Sequence, residues 1–211
     1  MELDRIVDPI LLFKNWLSEA EKNEIRDPNA MQLATVSKNG MPSVRTVLLK
    51  DIIDTSFVFY TNYESRKSNE INETAKGAIC FYWKSLNRQV RLTGSVNKVS
   101  DQVSDKYYQS RSRGSRIGAW ASKQSRELES REVLMEKVKL LESKYDEDIP
   151  RPTFWGGFAL KPDEFEFWED GDFRLHDRFV LKPTSLKNEW TAKRYYPYKF
   201  HLYFFLFLKH S

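Results

Sequence analysis

The sequence predicts an α+β domain, mainly β, built on a closed or split barrel of antiparallel strands with peripheral helices. Two observations lead to this fold class. Short runs with the alternation of half-buried strands recur along the chain, separated by turn signals, and 14% of the residues are aromatic, which favours a β-rich core. With 211 residues, the chain is long enough for one such domain with a sizeable core and short for two.

The N-terminal half is predicted to hold one long helix, one short helix and five strands. Asp8 followed by Pro9 is typical of a helix start, and apolar residues then recur at helical spacing to about Ile25. Asn39–Gly40 predicts a hairpin turn because this pair tolerates positive φ. We expect strands at 31–37, 43–50, 56–61, 78–83 and 89–99, and the short helix at 65–73.

The C-terminal half is predicted to contain helices at 100–109 and 126–145, then strands at 155–160, 164–168, 174–181 and 190–196. The second helix has an apolar stripe of Leu134, Val138, Leu141 and Tyr145. No repeat or linker divides the chain, so we expect one domain over residues 1–197 and an atypical apolar tail at 198–211. The apolar run at 200–208 is far below the roughly 20 residues that cross a bilayer, and we expect no membrane partner.

Composition excludes several classes of protein. A net charge of +4 is too small for a dedicated nucleic-acid binder, so no nucleic-acid partner is expected. Cys80 is the single cysteine, which points to a reducing compartment, and we expect a cytoplasmic protein with Cys80 in its core. The start of the chain is acidic and predicts no secretory signal. No zinc-like spacing, Gly-rich nucleotide loop or nucleophile elbow occurs, so we expect no metal site and no hydrolase.

The remaining candidates are cations at the ends of strands and at a helix start. Strand alternation puts Arg45 and Lys50 on opposite faces of the 43–50 run, and Lys50 is either a solvated strand end or a cation aimed into a pocket. Arg66 and Lys67 open the short helix. There the helix dipole, free backbone N–H groups and two cations would combine at one anion site, unless this is a capped surface helix.

Two further polar groups lie on predicted strands. Gln89 offers a donor and an acceptor to the edge of a ring, although an exposed strand residue would look the same. Arg174, His176 and Arg178 would share one face of the 174–181 strand, which places three chemically active groups in a row. From their positions alone, these three residues are equally well explained as a functional cluster and as solvent-exposed polar side chains.

Several segments together resemble the pyridoxine/pyridoxamine 5′-phosphate oxidase family of flavin enzymes. In the order of the family, they are AMQLATVSKNGMPSVRTVLLK at 30–50, FYTNYESRKSNEI at 59–71, RQVRLTG at 88–94, YYQSRSRGSRIGAWASKQS at 107–125, FWGGF at 154–158 and EFWEDGDFRLHDRF at 166–179. The resemblance runs from about Asp8 to Pro197. It implies an FMN-binding split barrel that acts as a homodimer, with each site built between two subunits.

The resemblance also implies a role for individual residues. The substrate phosphate would be held by Lys50, Tyr107, Arg111 and Ser115. The pyridine ring would be covered and oriented by Arg174, Leu175 and His176, of which Arg174 and His176 would control charge without either being an obligatory base. FMN contacts would fall on Arg45, Thr46, Val47, Leu48, Leu49, Lys50, Tyr60, Thr61, Arg66, Lys67, Gln89, Gln124, Ser125, Trp168 and Arg178.

The implied reaction is oxidation of pyridoxamine and pyridoxine 5′-phosphates to pyridoxal 5′-phosphate, with molecular oxygen as acceptor. Hydrogen peroxide would be the by-product, with ammonia from the amine. Two alternatives stay open: another split-barrel FMN oxidoreductase, and a non-catalytic binder of flavin, pyridoxal phosphate or RNA. The sequence departs from the family at both ends. Residues 1–7 contain Arg5 but no tyrosine to help close the site, and 14 residues follow Pro197.

Overall fold

The computed structural model describes residues 2–3, 6–186 and 189–197; the predicted tail at 198–211 lies outside them. Helices in this part of the chain are α1 (Pro9–Asn23), α2 (Arg66–Thr74), α3 (Asp101–Gln109), α4 (Arg113–Ala121) and α5 (Arg131–Lys144). The strands are β1 (Ala30–Val36), β2 (Pro42–Leu48), β3 (Asp51–Ile53), β4 (Ser56–Asn62), β5 (Lys76–Trp83), β6 (Arg88–Lys98), β7 (Trp155–Glu169), β8 (Asp177–Pro183) and β9 (Trp190–Arg194). No helix among the described residues is long and apolar enough to cross a membrane.

The strands form one antiparallel sheet in the order β2-β1-β5-β6-β7-β4-β3, and β8 and β9 extend from β7. β7 is 15 residues long, and its two halves pair with different strands. Phe158 is opposite Phe59 of β4, whereas Phe167 is opposite Phe179 of β8, and β6 runs beside both halves. The sheet therefore curls into a half-barrel, which confirms the split barrel with peripheral helices that the sequence predicts.

A bulge bends the two central strands. The register between β6 and β7 shifts between Thr93 and Gly94. A Cβ on Gly94 would lie 2.0 Å from the carbonyl oxygen of Lys161, so only glycine fits this close approach.

Helix α1 packs its apolar stripe against the half-barrel, as predicted. The ring of Phe13 lies 4.9 Å from the rings of both Phe57 and Phe81, and Trp16 meets Phe167 edge-on at 5.2 Å. Burying one such side chain contributes about 1.5–3 kcal/mol. The Asp8 side chain accepts hydrogen bonds from the first turn of α1, which confirms the predicted N-cap.

Some elements differ from the sequence-based expectations. The runs at 155–160 and 164–168 form the single strand β7, while α4 and β3 were not predicted. The helix expected from residue 126 begins at Arg131, because Ser130 caps it by accepting from the backbone N–H of Val133. Cys80 is half-buried rather than in the core, since the alternation of β5 turns Ile79 and Phe81 inward and Cys80 outward.

Candidate active site

A cleft of about 1080 Å³ opens beside β2, between the start of α2 and the segment that joins α3 to α4. Most of the site residues predicted from the sequence line it. They are Arg45, Thr46, Val47, Leu48, Lys50, Tyr60, Thr61, Arg66, Lys67, Tyr107, Arg111, Ser115, Gln124 and Ser125. Leu49 is an exception, because its side chain is buried in the hydrophobic core.

One wall of the cleft carries three cations, Arg45, Arg66 and Lys67. The Lys67 ammonium donates to Thr61 Oγ1, Ser65 Oγ and Gln124 Oε1, each at 3.0 Å. Burial, together with the nearby charge of Arg45, lowers the pKa of Lys67 to about 8. Three hydrogen bonds therefore fix the position of the Lys67 ammonium, and Lys67 is only 7% exposed.

The N-terminus of α2 adds backbone donors to the same wall. Ser65 occupies the N-cap position, but its side chain makes no capping hydrogen bond. Its hydroxyl instead donates to the carbonyl oxygen of Asn62 at 2.7 Å. The first-turn N–H groups of this nine-residue helix thus have no side-chain cap, and two cations accompany them. Such a helix end is suited to a phosphate group.

A second part of the lining, which we call the second wall, is a stack of parallel aromatic rings. Tyr60 lies 3.8 Å from Tyr107 and 5.6 Å from Trp155, with ring planes 10° and 9° apart. The Arg111 guanidinium lies 4.6 Å from the Trp155 ring centroid. Burial raises the pKa of Tyr60 to about 12, helped by Asp51 and Tyr107, so its hydroxyl stays neutral at physiological pH.

Arg111 has a hydrogen-bond donor for which the described residues provide no acceptor. Its Nη1 is buried and has no hydrogen-bond partner among them, and burial lowers the pKa of the guanidinium. Arg111 lines the cleft together with Ser115, close to the start of α4. A buried guanidinium nitrogen without an acceptor fits an anionic ligand, and a phosphate supplies the acceptor oxygens.

A second group of predicted residues lies outside the lining of this cleft. Gln89 is opposite Trp168, which is in turn opposite Arg178, so these three are neighbours on β6, β7 and β8. The Trp168 ring lies 4.8 Å from the ring of His176. The predicted site residues therefore form two groups in one subunit. We call Gln89, Trp168, Arg174, Leu175, His176 and Arg178 the second group.

The prediction that Arg174, His176 and Arg178 share one face of a strand is wrong. β8 begins at Asp177, and the turn before it gives Phe173 and Arg174 positive φ angles of 53° and 63°. The His176 ring closes this loop: its Nδ1 lies 2.8 Å from Asp170 Oδ1 and 3.3 Å from the backbone nitrogen of Gly171. Side chains alternate between two faces only along an extended strand, and residues 173–176 form a closed loop instead.

Two residues in or beside the cleft were missed from the sequence. Trp155 belongs to the FWGGF run and completes the aromatic stack, but no periodicity indicated this contact. Glu70 forms an ion pair with Arg66 at 2.8 Å. The spacing of four residues on one helix is the usual signal for such a pair, and it was available in the sequence.

Comparison with solved structures defines the class of protein. PhzG from Burkholderia lata 383, in complex with tetrahydrophenazine-1-carboxylic acid, has a TM-score of 0.83 and is 32% identical, over 90% of this chain and 93% of that chain. A pyridoxamine 5′-phosphate oxidase-related, FMN-binding protein from Nostoc punctiforme has a TM-score of 0.73 at 19% identity, over 90% and 98% of the two chains, and supports the fold alone. The chain is an FMN-binding split-barrel protein by fold.

Sequence comparison then gives the family. Residues 17–145 match the family model of pyridoxamine 5′-phosphate oxidase, and residues 155–197 match that of the pyridoxine 5′-phosphate oxidase C-terminal dimerisation region. Proteins of Brucella canis and Brucella suis named pyridoxine/pyridoxamine 5′-phosphate oxidase are 56% identical over 191 residues, which is 90% of this chain and 94% of each relative. The chain belongs to the pyridoxine/pyridoxamine 5′-phosphate oxidase family, as its motifs indicate.

Proposed function

We propose that this chain is an FMN-dependent oxidase that converts pyridoxamine and pyridoxine 5′-phosphates to pyridoxal 5′-phosphate. The alcohol and oxygen give the aldehyde and hydrogen peroxide; the amine, oxygen and water give the same products with ammonia. One observation carries the proposal: a single cleft has cations on two walls and a stack of aromatic rings. FMN and the B6 vitamers are planar phosphate esters, so two such ligands together need two anion sites beside flat surfaces.

In this proposal the cation wall binds the phosphate of FMN, and the second wall binds the phosphate of the substrate. Arg45, Arg66, Lys67 and the start of α2 would hold the phosphate of FMN, because they form the wall with both cations and backbone donors. Arg111 would hold the substrate phosphate, since its buried Nη1 needs an acceptor. Lys50, Tyr107 and Ser115 line the cleft with it and would add further donors. When bound, FMN supplies the two-electron redox chemistry, and the chain binds and orients both ligands.

The second group completes the site from another subunit in this proposal. It lies apart from the cleft within one chain, and the loop that carries Arg174, Leu175 and His176 leaves Leu175 71% exposed and the neighbouring Phe173 92% exposed. Large apolar side chains this exposed are typical of a surface that another protein covers. The match of residues 155–197 to a dimerisation region supports a homodimer. Arg174 and His176 would then orient the substrate ring in the cleft of the partner subunit.

The test is formation of pyridoxal 5′-phosphate from each vitamer by purified protein in air, with and without added FMN. We expect FMN-dependent aldehyde with an equal amount of hydrogen peroxide, and no sustained turnover without oxygen. Bound FMN without aldehyde would favour another split-barrel oxidoreductase, for which the similarity to PhzG gives a starting point. Salt-sensitive RNA binding without turnover would favour the non-catalytic alternative. Cytoplasmic localisation stays a prediction, supported by the single cysteine.

A further inference from the structure

Glu70 is a buried carboxylate beside the cation wall, and the proposed reaction gives it no role. It lies on α2, and its side chain is 5% exposed. Its carboxylate accepts from Arg66 Nε at 2.8 Å and from the hydroxyls of Thr35 and Ser43 at 2.5 Å each. Arg45 Nη2 lies 3.5 Å from the same carboxylate.

These contacts tie two cations of the wall together. Arg45 is on β2 and Arg66 is on α2, so the carboxylate of Glu70 links the strand to the helix. Arg45 and Arg66 both line the cleft, whereas Glu70 does not. The bond to Glu70 uses Nε of Arg66, so the two terminal nitrogens of that guanidinium can still donate to an anion.

The carboxylate is charged whenever the protein is folded at ordinary pH. Burial by itself would raise the pKa of Glu70, but hydrogen bonds from Ser43, Thr35 and Arg66 outweigh burial and lower the pKa to about 2. A fixed negative charge between two guanidinium groups offsets their mutual repulsion. The same charge also repels a bound phosphate, so its two effects on phosphate binding have opposite signs.

We propose that Glu70 is a positioning residue for the cofactor phosphate, which holds Arg45 and Arg66 in the arrangement that binds it. The inference rests on the proposed function, because it takes FMN as the occupant of this wall. Positioning outweighs repulsion, since the carboxylate directs its oxygens to the arginines and hydroxyls and is absent from the lining of the cleft. The terminal nitrogens of Arg45 already donate to protein acceptors, so Arg45 contributes its charge, while Arg66 contributes donors. Fixing this charge and these donors before binding lowers the entropic cost of binding.

The experiment compares FMN with riboflavin, which lacks the phosphate, as ligands of the purified full chain. Flavin fluorescence gives the dissociation constant of each for wild type and Glu70→Gln. We expect Glu70→Gln to weaken FMN binding about tenfold or more, equivalent to about 1.4 kcal/mol at 25 °C, and to change riboflavin binding less than about twofold. The matched control is Glu73→Gln, on the same helix, where an exposed carboxylate accepts from the backbone of Lys38; it should leave both constants unchanged.

Other outcomes overturn the inference in distinguishable ways. If Glu70→Gln binds FMN as tightly as the wild type or more tightly, either repulsion between Glu70 and the phosphate dominates or the contacts of Glu70 do not contribute to FMN affinity. An equal loss of FMN and riboflavin would mean general damage to the cleft. Glu70→Asp keeps the charge, but its side chain is one methylene shorter. If Glu70 positions the arginines, this variant should also bind FMN more weakly than the wild type. Glu70→Asp provides the test if Glu70→Gln does not fold. A wild type that binds no FMN would instead refute the proposed function.

Discussion

The guanidinium of Arg111 lies 4.6 Å from the centroid of the Trp155 ring, which places a half-buried cation over an aromatic surface. Cation and ring attract each other in this arrangement, and the contact restricts where the guanidinium can point. With Nη1 buried and lacking a partner among the described residues, Arg111 is prepared for an anion before one arrives. This donor supports the proposal that Arg111 holds the substrate phosphate.

Replacement of Arg111 tests its proposed contact with the substrate phosphate. We expect Arg111→Lys to raise the KM for pyridoxamine 5′-phosphate about 10- to 100-fold, because lost hydrogen bonds to a charged group are worth about 1.5–3 kcal/mol. The kcat should change much less, since the phosphate is remote from the reacting carbon. Steady-state kinetics with saturating FMN measures both. Arg131→Lys, at an exposed position on α5, is the control, and an unchanged KM for Arg111→Lys would refute the assignment.

The pKa of Lys67 predicts a pH dependence of FMN binding. FMN affinity should fall above a pH of about 8, where the Lys67 ammonium of the free protein loses its proton, with a slope of at most about tenfold per pH unit. Because the folded pKa lies below the ordinary 10.5, the unfolded chain binds more protons between these values, so this group makes the FMN-free protein more stable as pH rises through that range.

Titrations of FMN at pH values from 6.5 to 9.5, at constant ionic strength, check this. Lys67→Arg keeps the charge throughout, so the fall above a pH of about 8 should disappear. Persistence of the same fall in Lys67→Arg would assign it to another group.

Replacement of Phe173 tests the proposal that two subunits form each site. We expect the wild type to have the mass of a dimer, and Phe173→Asp to shift the protein toward monomers with loss of oxidase activity, since a charge opposes burial of this 92% exposed position. Asp tolerates the left-handed backbone found there. Light scattering and activity at matched concentrations give the readout. The matched control is Ile25→Asp, at a 96% exposed residue outside the dimerisation-region match; equal effects of both would argue against a specific interface.

The bulge at Gly94 predicts a large stability effect. Gly94→Ala should lower the free energy of unfolding by more than about 3 kcal/mol, because its Cβ would collide with the backbone of Lys161 at 2.0 Å. Gly114→Ala in α4 meets no atom within 4 Å and should raise stability by about 0.5–1 kcal/mol. Denaturant unfolding of both variants measures the difference. A mild effect at Gly94 would show that β6 and β7 can move apart.

Local features were predictable from neighbouring residues. Asp8 caps α1 as expected, and Gly40 has a φ of 85° in the hairpin turn that Asn39–Gly40 predicts. The loop before β8 was not predictable in this way. Its shape depends on His176 reaching back to Asp170 and on the close approach of Gly171 to the carbonyl of Leu175, contacts that alternation along a strand does not encode.

By itself, the sequence determined the fold class, most of the strands and helices, the Asp8 cap of α1, the hairpin turn at Asn39–Gly40, and the family that its motifs indicate. Caps and turns depend on sterics and hydrogen bonds within a few residues, so a short segment specifies them. Only the tertiary structure decided that Arg111 lies over Trp155, that Glu70 joins two cations, and that the second group is separate from the cleft. These relationships come from strand pairing and packing between distant residues, and burial decides which charged groups still need a partner.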